Sequence, residues 1–315
     1  MKKVTIIIFT VIFIIIFTSC RNIEPQETPN IPEVNPLAET VERDKTIVNL
    51  YFSYRDEQLL VSEAREITVP INERIDVKIL ENLIKGVSTS KADFFSNINP
   101  RTKIVNISDN AGYLFVTLSK EFLSPSSDII GDKENTTKYL AAYSIVNTLI
   151  EQGGYYRVQI LIDRDDSGSG TPITKAEIGL EGDEPTEPLA RNGEIILNSR
   201  STMREIMQSI EMKDYNRLYN FIAYKNQSGQ DRPTLDEFKN AITGYKIVLS
   251  TPEIVDHISS TDLNNDKIIV NFTIKIGEEE PLAKTNVTVQ VTKENDIWKI
   301  TYDTLANVFF DSALG

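Results

Sequence analysis

The chain has 315 residues, of which 40% are hydrophobic and 25% charged, and its formal net charge is −13. The length allows two ordinary domains, and the composition is that of a folded globular protein. The acidic balance argues against nucleic acid as a partner and against electrostatic attraction to anionic lipid, because both are polyanions.

Residues 1–19 have the layout of a secretory signal peptide. Two lysines precede an apolar and threonine-containing run from Val4 to Thr18, and the small residue Ser19 follows. A basic start, a short apolar stretch and a small residue before the cleavage point are the parts of such a signal. The run is also shorter than the ~20 residues that span a bilayer comfortably.

Cys20, the single cysteine of the chain, follows directly. The junction Phe17-Thr18-Ser19-Cys20 resembles the bacterial lipobox, in which the cysteine is diacylated and becomes the mature N-terminus; Phe17 and Thr18 depart from its usual residues. We predict that Cys20 is lipidated, with an uncleaved N-terminal anchor and a passive cysteine as the alternative. Either arrangement leaves the remaining chain outside the cytoplasm and tethered to a membrane.

Cleavage before Cys20 would remove Lys2 and Lys3 and change the net charge from −13 to −15. Membrane attachment would then depend on the diacylglyceryl-cysteine, since two acyl chains anchor a protein stably. No thiol would remain for a disulfide, a thiolate metal site or a nucleophile, so the fold must depend on packed cores. The abundance of Ile, Asn and Lys indicates a Gram-positive source, and hence the outer face of the cytoplasmic membrane.

Residues 20–45 are predicted to form a flexible tether. Four prolines interrupt the polar stretch from Arg21 to Pro36, and such a stretch buries too little apolar area to offset the entropy lost on ordering. Proline also extends a chain, so the tether would lift the folded part off the membrane surface.

Residues 46–165 are predicted to form an α+β unit with the element order β-β-α-β-β-α-β, in which helices cover one face of a sheet. The predicted strands are Ile47–Phe52, Leu59–Val69, Lys103–Ile107, Tyr113–Leu118 and Tyr156–Ile162, and the predicted helices run from an Asn72 cap to Gly86 and from Lys133 to Glu151. Apolar residues at period two or at helical spacing support these bounds.

Several segments of this unit resemble the GerM-type (GerMN) domain of sporulation and germination proteins. They share the order and spacing of that domain and are Asn49–Phe52, Leu60–Ile67, Leu80–Gly86, Pro100–Ile104, Val116–Phe122, Val146–Leu149 and Val158–Asp163. Val87, Thr117 and Arg164 stand where the family usually has Pro, Asp and Gly. The resemblance implies a non-enzymatic role in spore formation or germination, through packing against neighbouring proteins as in the ring-building modules of envelope assemblies.

Residues 166–197 are hydrophilic and rich in turn residues, which predicts a linker or an extended segment. Residues 198–315 are predicted to place helices before four antiparallel strands. The predicted helices are Ser201–Lys225, bent near Lys213, and Thr234–Gly244 with Glu237 completing a capping box, and the strands are Tyr245–Ile258, Lys267–Ile276, Ala283–Thr292 and Ile297–Tyr302. This order resembles the NTF2-like (cystatin-like cone) superfamily, whose members often serve as small binding or packing modules in exported lipoproteins.

Candidate catalytic and metal-binding residues are few. The single histidine, His257, lies in a predicted strand without a Gly-x-Ser-x-Gly elbow, so we predict a structural or surface role rather than a nucleophilic triad. Asp163–Gly168 reproduces the start of a calcium loop, but Thr174 stands at the twelfth position, where an acid is required.

Asp262, Asn264 and Asp266 also alternate like calcium ligands, but Lys267 and Thr273 replace the glycine and the acid of the loop. We predict turns at both acidic stretches, and no metal or other cofactor. The 46 acidic residues contain no spacing that selects a catalytic pair.

Other polar and aromatic residues are predicted to be structural. Ser119, Asn147 and Thr148 belong to the GerM-type resemblance and are predicted to be buried and hydrogen-bonded. Sheet core or sheet face, rather than a sugar-binding platform, is predicted for Tyr51, Phe52, Tyr54, Tyr155 and Tyr156.

We therefore predict a membrane-anchored, non-enzymatic lipoprotein whose two domains associate with envelope or sporulation proteins. One alternative is a lipoprotein that binds a small ligand or a cell-wall fragment in the concave C-terminal sheet. The other is a wall-active enzyme that uses Asp or Glu.

Overall fold

The computed structural model describes residues 42–124, 133–226, 228–244, 246–259 and 261–310. Cys20, the predicted signal peptide and tether residues 20–41 lie outside the described residues. Within the described ranges the chain is an α+β protein with three sheets and six α-helices, which confirms the predicted fold class. No helix in these ranges has the length and apolar character of a membrane span.

The first half follows the predicted order of elements, with two short strands added. In chain order they are β1 (Glu42–Tyr54), β2 (Leu60–Pro70), α1 (Ile75–Lys85), β3 (Phe94–Phe95), β4 (Ile104–Asn110), β5 (Tyr113–Ser119), α2 (Lys133–Gly153), β6 (Arg157–Asp163) and β7 (Thr171–Pro172). β1 begins before Thr46, because the pairing of β1 with β2 extends back to Glu42 and Pro70.

The single sheet predicted for this half is wrong, since the strands form two sheets with the orders β2-β1-β3 and β4-β5-β6-β7. β5 and β6 are parallel, so the connection between them must cross over, and α2 makes it. The Tyr51 N–H of β1 donates to the Thr148 hydroxyl of α2 at 3.0 Å. At this position, a helix side chain rather than a further strand accepts the backbone hydrogen bond of β1. Both α1 and α2 contact both sheets.

The start of α1 differs from the prediction. Arg74, not Asn72, is the residue that precedes the helix, and its side chain makes no capping hydrogen bond. Asp76 in the first turn accepts from the Val77 N–H at 2.8 Å, and its negative charge suits the positive end of the helix dipole. Gly86 ends the helix with φ +94°, a conformation that glycine adopts readily, as predicted.

Residues 166–197 lie along the first half. Leu189 and Val158 exchange two backbone hydrogen bonds, of 2.9 and 2.8 Å. A short 3-10 helix, Ala176–Ile178, ends at Gly179 with φ +76°, and a side chain at Gly179 would collide with the Asn135 carbonyl of α2. The Leu60 N–H donates to the Ile195 carbonyl at 2.7 Å, so this segment also extends the edge of β2.

The second half places helices before an antiparallel sheet, as predicted. Its elements are α3 (Ser199–Glu211), α4 (Tyr215–Asn220), α5 (Leu235–Gly244), β8 (Ile247–Ser259), β9 (Asn265–Ile276), β10 (Leu282–Glu294), β11 (Ile297–Lys299) and α6 (Tyr302–Phe309), and the sheet order is β11-β10-β9-β8. Lys213, with φ +58°, separates α3 from α4, which confirms the predicted bend. The Glu237 N–H donates to the Thr234 hydroxyl at 3.4 Å, and the Thr234 N–H donates to the Glu237 carboxylate at 2.9 Å, which confirms the predicted capping box.

Two predicted bounds in this half are wrong. The helix predicted to reach Lys225 ends at Asn220, because the Ala223 N–H pairs with the Ile300 carbonyl at 2.9 Å beside β11. The last strand ends at Lys299 rather than Tyr302, because Thr301 caps α6 by accepting from the Thr304 N–H at 3.2 Å.

The two halves share one hydrophobic core. α6 completes it in the second half, where the Phe309 ring lies 4.9 Å from that of Phe272 in β9. α3 packs against β8 and β9, and its side chains Met203 and Ile206 are fully buried in the same core.

Candidate functional site

The two halves meet at a polar and aromatic junction. The Tyr54 hydroxyl of β1 donates to the Asn220 carbonyl at 2.9 Å, and its ring lies 5.9 Å from that of Phe221. Both side chains are buried. Lys91 in the first half forms an ion pair of 2.5 Å with Asp296 in the second, so the contact extends beyond the aromatic pair.

An ionic bridge lies beside this aromatic pair. The Arg217 Nε of α4 donates to the Glu57 carboxylate of the β1–β2 turn at 2.8 Å, and another nitrogen of the same guanidinium donates to Glu205 of α3. Both carboxylates are almost fully buried. One cation therefore joins two carboxylates that belong to different halves of the chain.

A stack of cations and tyrosines supports the junction from the second half. The Arg232 guanidinium lies 3.8 Å from the Tyr219 ring centroid and 4.4 Å from that of Tyr224. The Lys299 Nζ lies 4.1 Å from the Tyr224 centroid and 3.1 Å from the Glu294 carboxylate. Burial lowers the pKa of Lys299, although Glu294 opposes this.

His257 contacts two neighbouring elements through one ring nitrogen. Its Nε2 lies 2.5 Å from the Asp266 carboxylate and 3.3 Å from the Ser199 hydroxyl. Both partners contact the same ring nitrogen, whereas a catalytic triad places Ser and Asp on opposite nitrogens. The histidine therefore links the first turn of α3 to β8 and β9.

Both acidic stretches form turns, as predicted. Asp163 accepts from the N–H groups of Ser167 and Gly168 at 3.0 and 2.9 Å. Asp262 accepts from the Asn264 N–H at 2.9 Å. Across the described ranges, no group of three or more His, Cys, Asp or Glu side chains is arranged to hold a metal ion.

The polar residues of the GerM-type resemblance are buried and hydrogen-bonded, as predicted. The Ser119 hydroxyl accepts from the Lys103 N–H at 2.9 Å. Asn147 donates to the Asn192 carbonyl at 3.0 Å and accepts from its N–H at 2.8 Å. These bonds fasten neighbouring loops to β5 and α2.

Tyr51, Phe52 and Tyr54 belong to the core, as predicted. Sequence reasoning missed the partners of Tyr51, whose hydroxyl donates to Glu151 while Arg191 binds the same carboxylate at 3.0 Å. Burial raises the pKa of Tyr51, and the Glu151 carboxylate adds to that effect.

The candidate functional site is an open groove of about 560 Å³ at the start of α1, which we call the Arg74 groove. Its lining residues come from β1, β2, the β2–α1 turn, α1 and the α2–β6 connection, and are Thr46, Val69, Glu73, Arg74, Ile75, Asp76 and Tyr155. Arg74, one of the lining residues, contacts Asp76 at 2.6 Å and Asp109 at 2.8 Å. The Arg74 guanidinium therefore connects the start of α1 to the β4–β5 hairpin.

Asp76 is the most buried charged group of the Arg74 groove, with 4% of its side chain exposed. The Tyr155 hydroxyl donates to it at 3.0 Å. Burial opposes ionisation, but the hydrogen bonds from Arg74 and Tyr155 prevail and lower the pKa of Asp76. A catalytic acid needs a raised pKa, so Asp76 is suited to holding charge rather than to donating a proton.

Tyr155 and Tyr156 diverge from each other. Tyr155 lies in the groove, whereas the Tyr156 ring lies over Gly112 in the β4–β5 turn and is 75% exposed. The Tyr156 N–H donates to the Gly112 carbonyl at 2.9 Å. The sequence signal for this site was an arginine and an aspartate two positions apart at a helix start, which sequence reasoning read only as part of a helix.

Comparison with known proteins supports the GerM-type resemblance. Residues 49–166 match the family model "Germane: Sporulation and spore germination", close to the predicted 46–165. No protein of curated function matches the chain in sequence.

Three solved structures are similar to parts of the chain. The tandem GerMN domains of the sporulation protein GerM from Bacillus subtilis are 16% identical, with a TM-score of 0.34, over 48% of this chain and 46% of that one. The first GerMN domain of the same protein is 19% identical, with a TM-score of 0.26, over 41% of this chain and 94% of that one. An NTF2-like protein of unknown function from Cytophaga hutchinsonii is 8% identical, with a TM-score of 0.23, over 33% of this chain and 85% of that one.

The matched region, residues 49–166, spans the elements from β1 to β6. This region includes the buried polar residues Ser119, Asn147 and Thr148. Residues 49–166 thus form a GerM-type domain that matches the family model described as sporulation and spore germination.

Proposed function

We propose that this protein is an extracytoplasmic lipoprotein, anchored through diacylated Cys20, that acts by holding partner proteins at the outer face of the cytoplasmic membrane. The Germane domain indicates a role related to sporulation or germination. The acidic chain would leave membrane attachment to the lipid rather than to surface charge.

The junction between the halves is the observation that carries this proposal. Arg217 bridges Glu57 and Glu205, and Tyr54 packs on Phe221 in a shared core. Two surfaces joined in this way keep a constant spacing, which suits a protein that positions others. Within the described residues, Ser199 and Asp266 share one ring nitrogen of His257, and hydrogen bonds lower the pKa of Asp76; both observations favour this role over catalysis.

Crosslinking and capture of the tagged protein from intact growing and sporulating cells tests the proposal. The expected result is a defined set of envelope proteins that is recovered with the wild type and lost with Cys20→Ala. Mass spectrometry of the N-terminal peptide should find the diacylglyceryl group on Cys20. Recovery of wall fragments alone, or an unchanged partner set in Cys20→Ala, would overturn it.

A further inference from the structure

The Arg74 groove has an apolar side that is open to solvent. Val69 and Ile75 both line it; Val69 is almost fully buried, whereas Ile75 is 42% exposed. Ile71, in the turn that leads to α1, is also exposed. Exposed aliphatic side chains beside a groove provide the apolar part of a binding site.

The polar side of the groove carries an excess of negative charge. The carboxylates of Glu73, Asp76 and Asp109 outnumber the cations Arg74 and Lys78 that pair with them. Asp76 is saturated, because Arg74, Tyr155 and the Val77 N–H all donate to it.

Asp109 differs from Asp76. One of its oxygens binds Arg74 at 2.8 Å, and 48% of its side chain is exposed. Within the described ranges its other oxygen has no hydrogen bond, so it is available to a ligand. The exposed ring of Tyr156 lies on the turn that follows Asp109 and Asn110, and such a ring face attracts a cation.

We propose that the Arg74 groove binds an extended segment of a partner protein that carries an aliphatic side chain next to a lysine or arginine. The aliphatic side chain would contact Val69 and Ile75, and the cation would reach Asp109 and the Tyr156 ring. A groove of about 560 Å³ holds a few side chains rather than a domain. This inference rests on the proposed function, since it names the chemistry of the partner.

A second copy of the chain is a poorer occupant, because each copy carries a formal charge of −13 and like charges repel. Exposed tyrosine and arginine side chains beside a groove are also typical of the residues that dominate protein–protein binding. The charge and the residue types thus favour a basic polypeptide.

Peptide titration of the full chain carrying Cys20→Ala tests this inference without the lipid. The probes are short synthetic peptides that alternate isoleucine with lysine, isoleucine with glutamate, or alanine with lysine. We expect calorimetry to detect binding of the isoleucine–lysine peptide, weakened about tenfold or more by Ile75→Ser and by Asp109→Asn. Leu263→Ser, at a site 85% exposed in the second half, is the matched control and should leave the affinity unchanged.

Equal affinity for the isoleucine–glutamate peptide, or binding that survives both groove substitutions, would overturn the inference. The inference would also be overturned if the isoleucine–lysine peptide does not bind and the groove instead serves another occupant. That occupant would be a second copy or a muropeptide, and Ile75→Ser would abolish the dimer or the muropeptide binding. Cell capture separates the two proposals. If Ile75→Ser captures the same partners as the wild type, the groove proposal is rejected and the proposed function stands. If the peptide binds specifically but no cellular partners are captured, the proposed function is rejected and the groove proposal stands.

Discussion

The guanidinium of Arg217 in α4 donates to the Glu57 carboxylate in the β1–β2 turn at 2.8 Å. The two residues lie 160 positions apart and in different halves of the chain. Replacing Arg217 with Met would leave Glu57 buried without its cation, and Glu205 with only the 3.5 Å contact to Arg204. Loss of one partner of a buried pair costs about 3–5 kcal/mol, so we expect Arg217→Met to lower the free energy of unfolding by that amount in urea titration.

Lys133→Met is the matched control for Arg217→Met. Lys133 pairs with Asp56 at the surface, at 3.1 Å, with both side chains well exposed. Exposed pairs contribute about 0–1 kcal/mol. Equal losses from the two substitutions would show that the Arg217 bridge has no special role in joining the halves.

The Tyr54–Phe221 contact predicts that the two halves unfold together. Trp298, the single tryptophan, lies in β11 of the second half, whereas Tyr54 lies in the first. Truncation of a buried aromatic side chain costs about 3–5 kcal/mol, so Tyr54→Ala should shift the Trp298 fluorescence transition and the far-UV circular dichroism transition equally. A Trp298 transition that stays in place would mean that the halves unfold independently.

Asp76→Asn tests the charge at the start of α1. Because the folded-state pKa of Asp76 is lowered, the unfolded chain takes up the proton first as the pH falls. The stabilisation that the Asp76 charge provides is therefore complete above the pKa of the unfolded state, about 3.9. It is lost as the pH falls through the lower pKa of the folded state.

We expect Asp76→Asn to cost about 1–3 kcal/mol at neutral pH and to flatten the fall of stability in acid. Asp236→Asn, also in the first turn of a helix but exposed, should cost less than about 1 kcal/mol. Chemical denaturation from pH 2 to 7 measures both. An unchanged acid slope in Asp76→Asn would contradict the prediction.

Gly179→Ala tests how residues 166–197 attach to the first half. The new methyl group would collide with the Asn135 carbonyl of α2 at a positive φ, so we expect a loss of about 2 kcal/mol or more. Gly168→Ala has a similar φ of +82° but open space around it. It should show only the cost of the backbone conformation, about 1 kcal/mol, in the same thermal unfolding experiment.

Local patterns predicted most elements of the fold. Thr234 with Glu237, and Gly86 after an apolar helix face, specify helix ends through contacts within a few residues, so sequence alone identifies them. The division into two sheets involves contacts such as that between Thr148 of α2 and the Tyr51 N–H, which join residues 97 positions apart. No short-range pattern carries that information.

The candidate site was harder to predict for the same reason. Arg74 and Asp76 are visible as a local pair, but Asp109 and Tyr155 join them only after the two sheets have packed. Arg217 likewise gives no sign in the sequence that it will meet Glu57. In the sequence, the members of such long-range charge pairs cannot be distinguished from other charged residues.

The position at which β1 begins determines how the protein would bear load. β1 pairs with β2 from Glu42 to Ser53, so a pull on Glu42 that points away from Ser53 runs along the strand. Such a force loads the hydrogen bonds of the ladder together, in shear, instead of opening them one after another. A protein fastened through Cys20 would therefore resist stretching between membrane and partner up to a threshold and then yield abruptly.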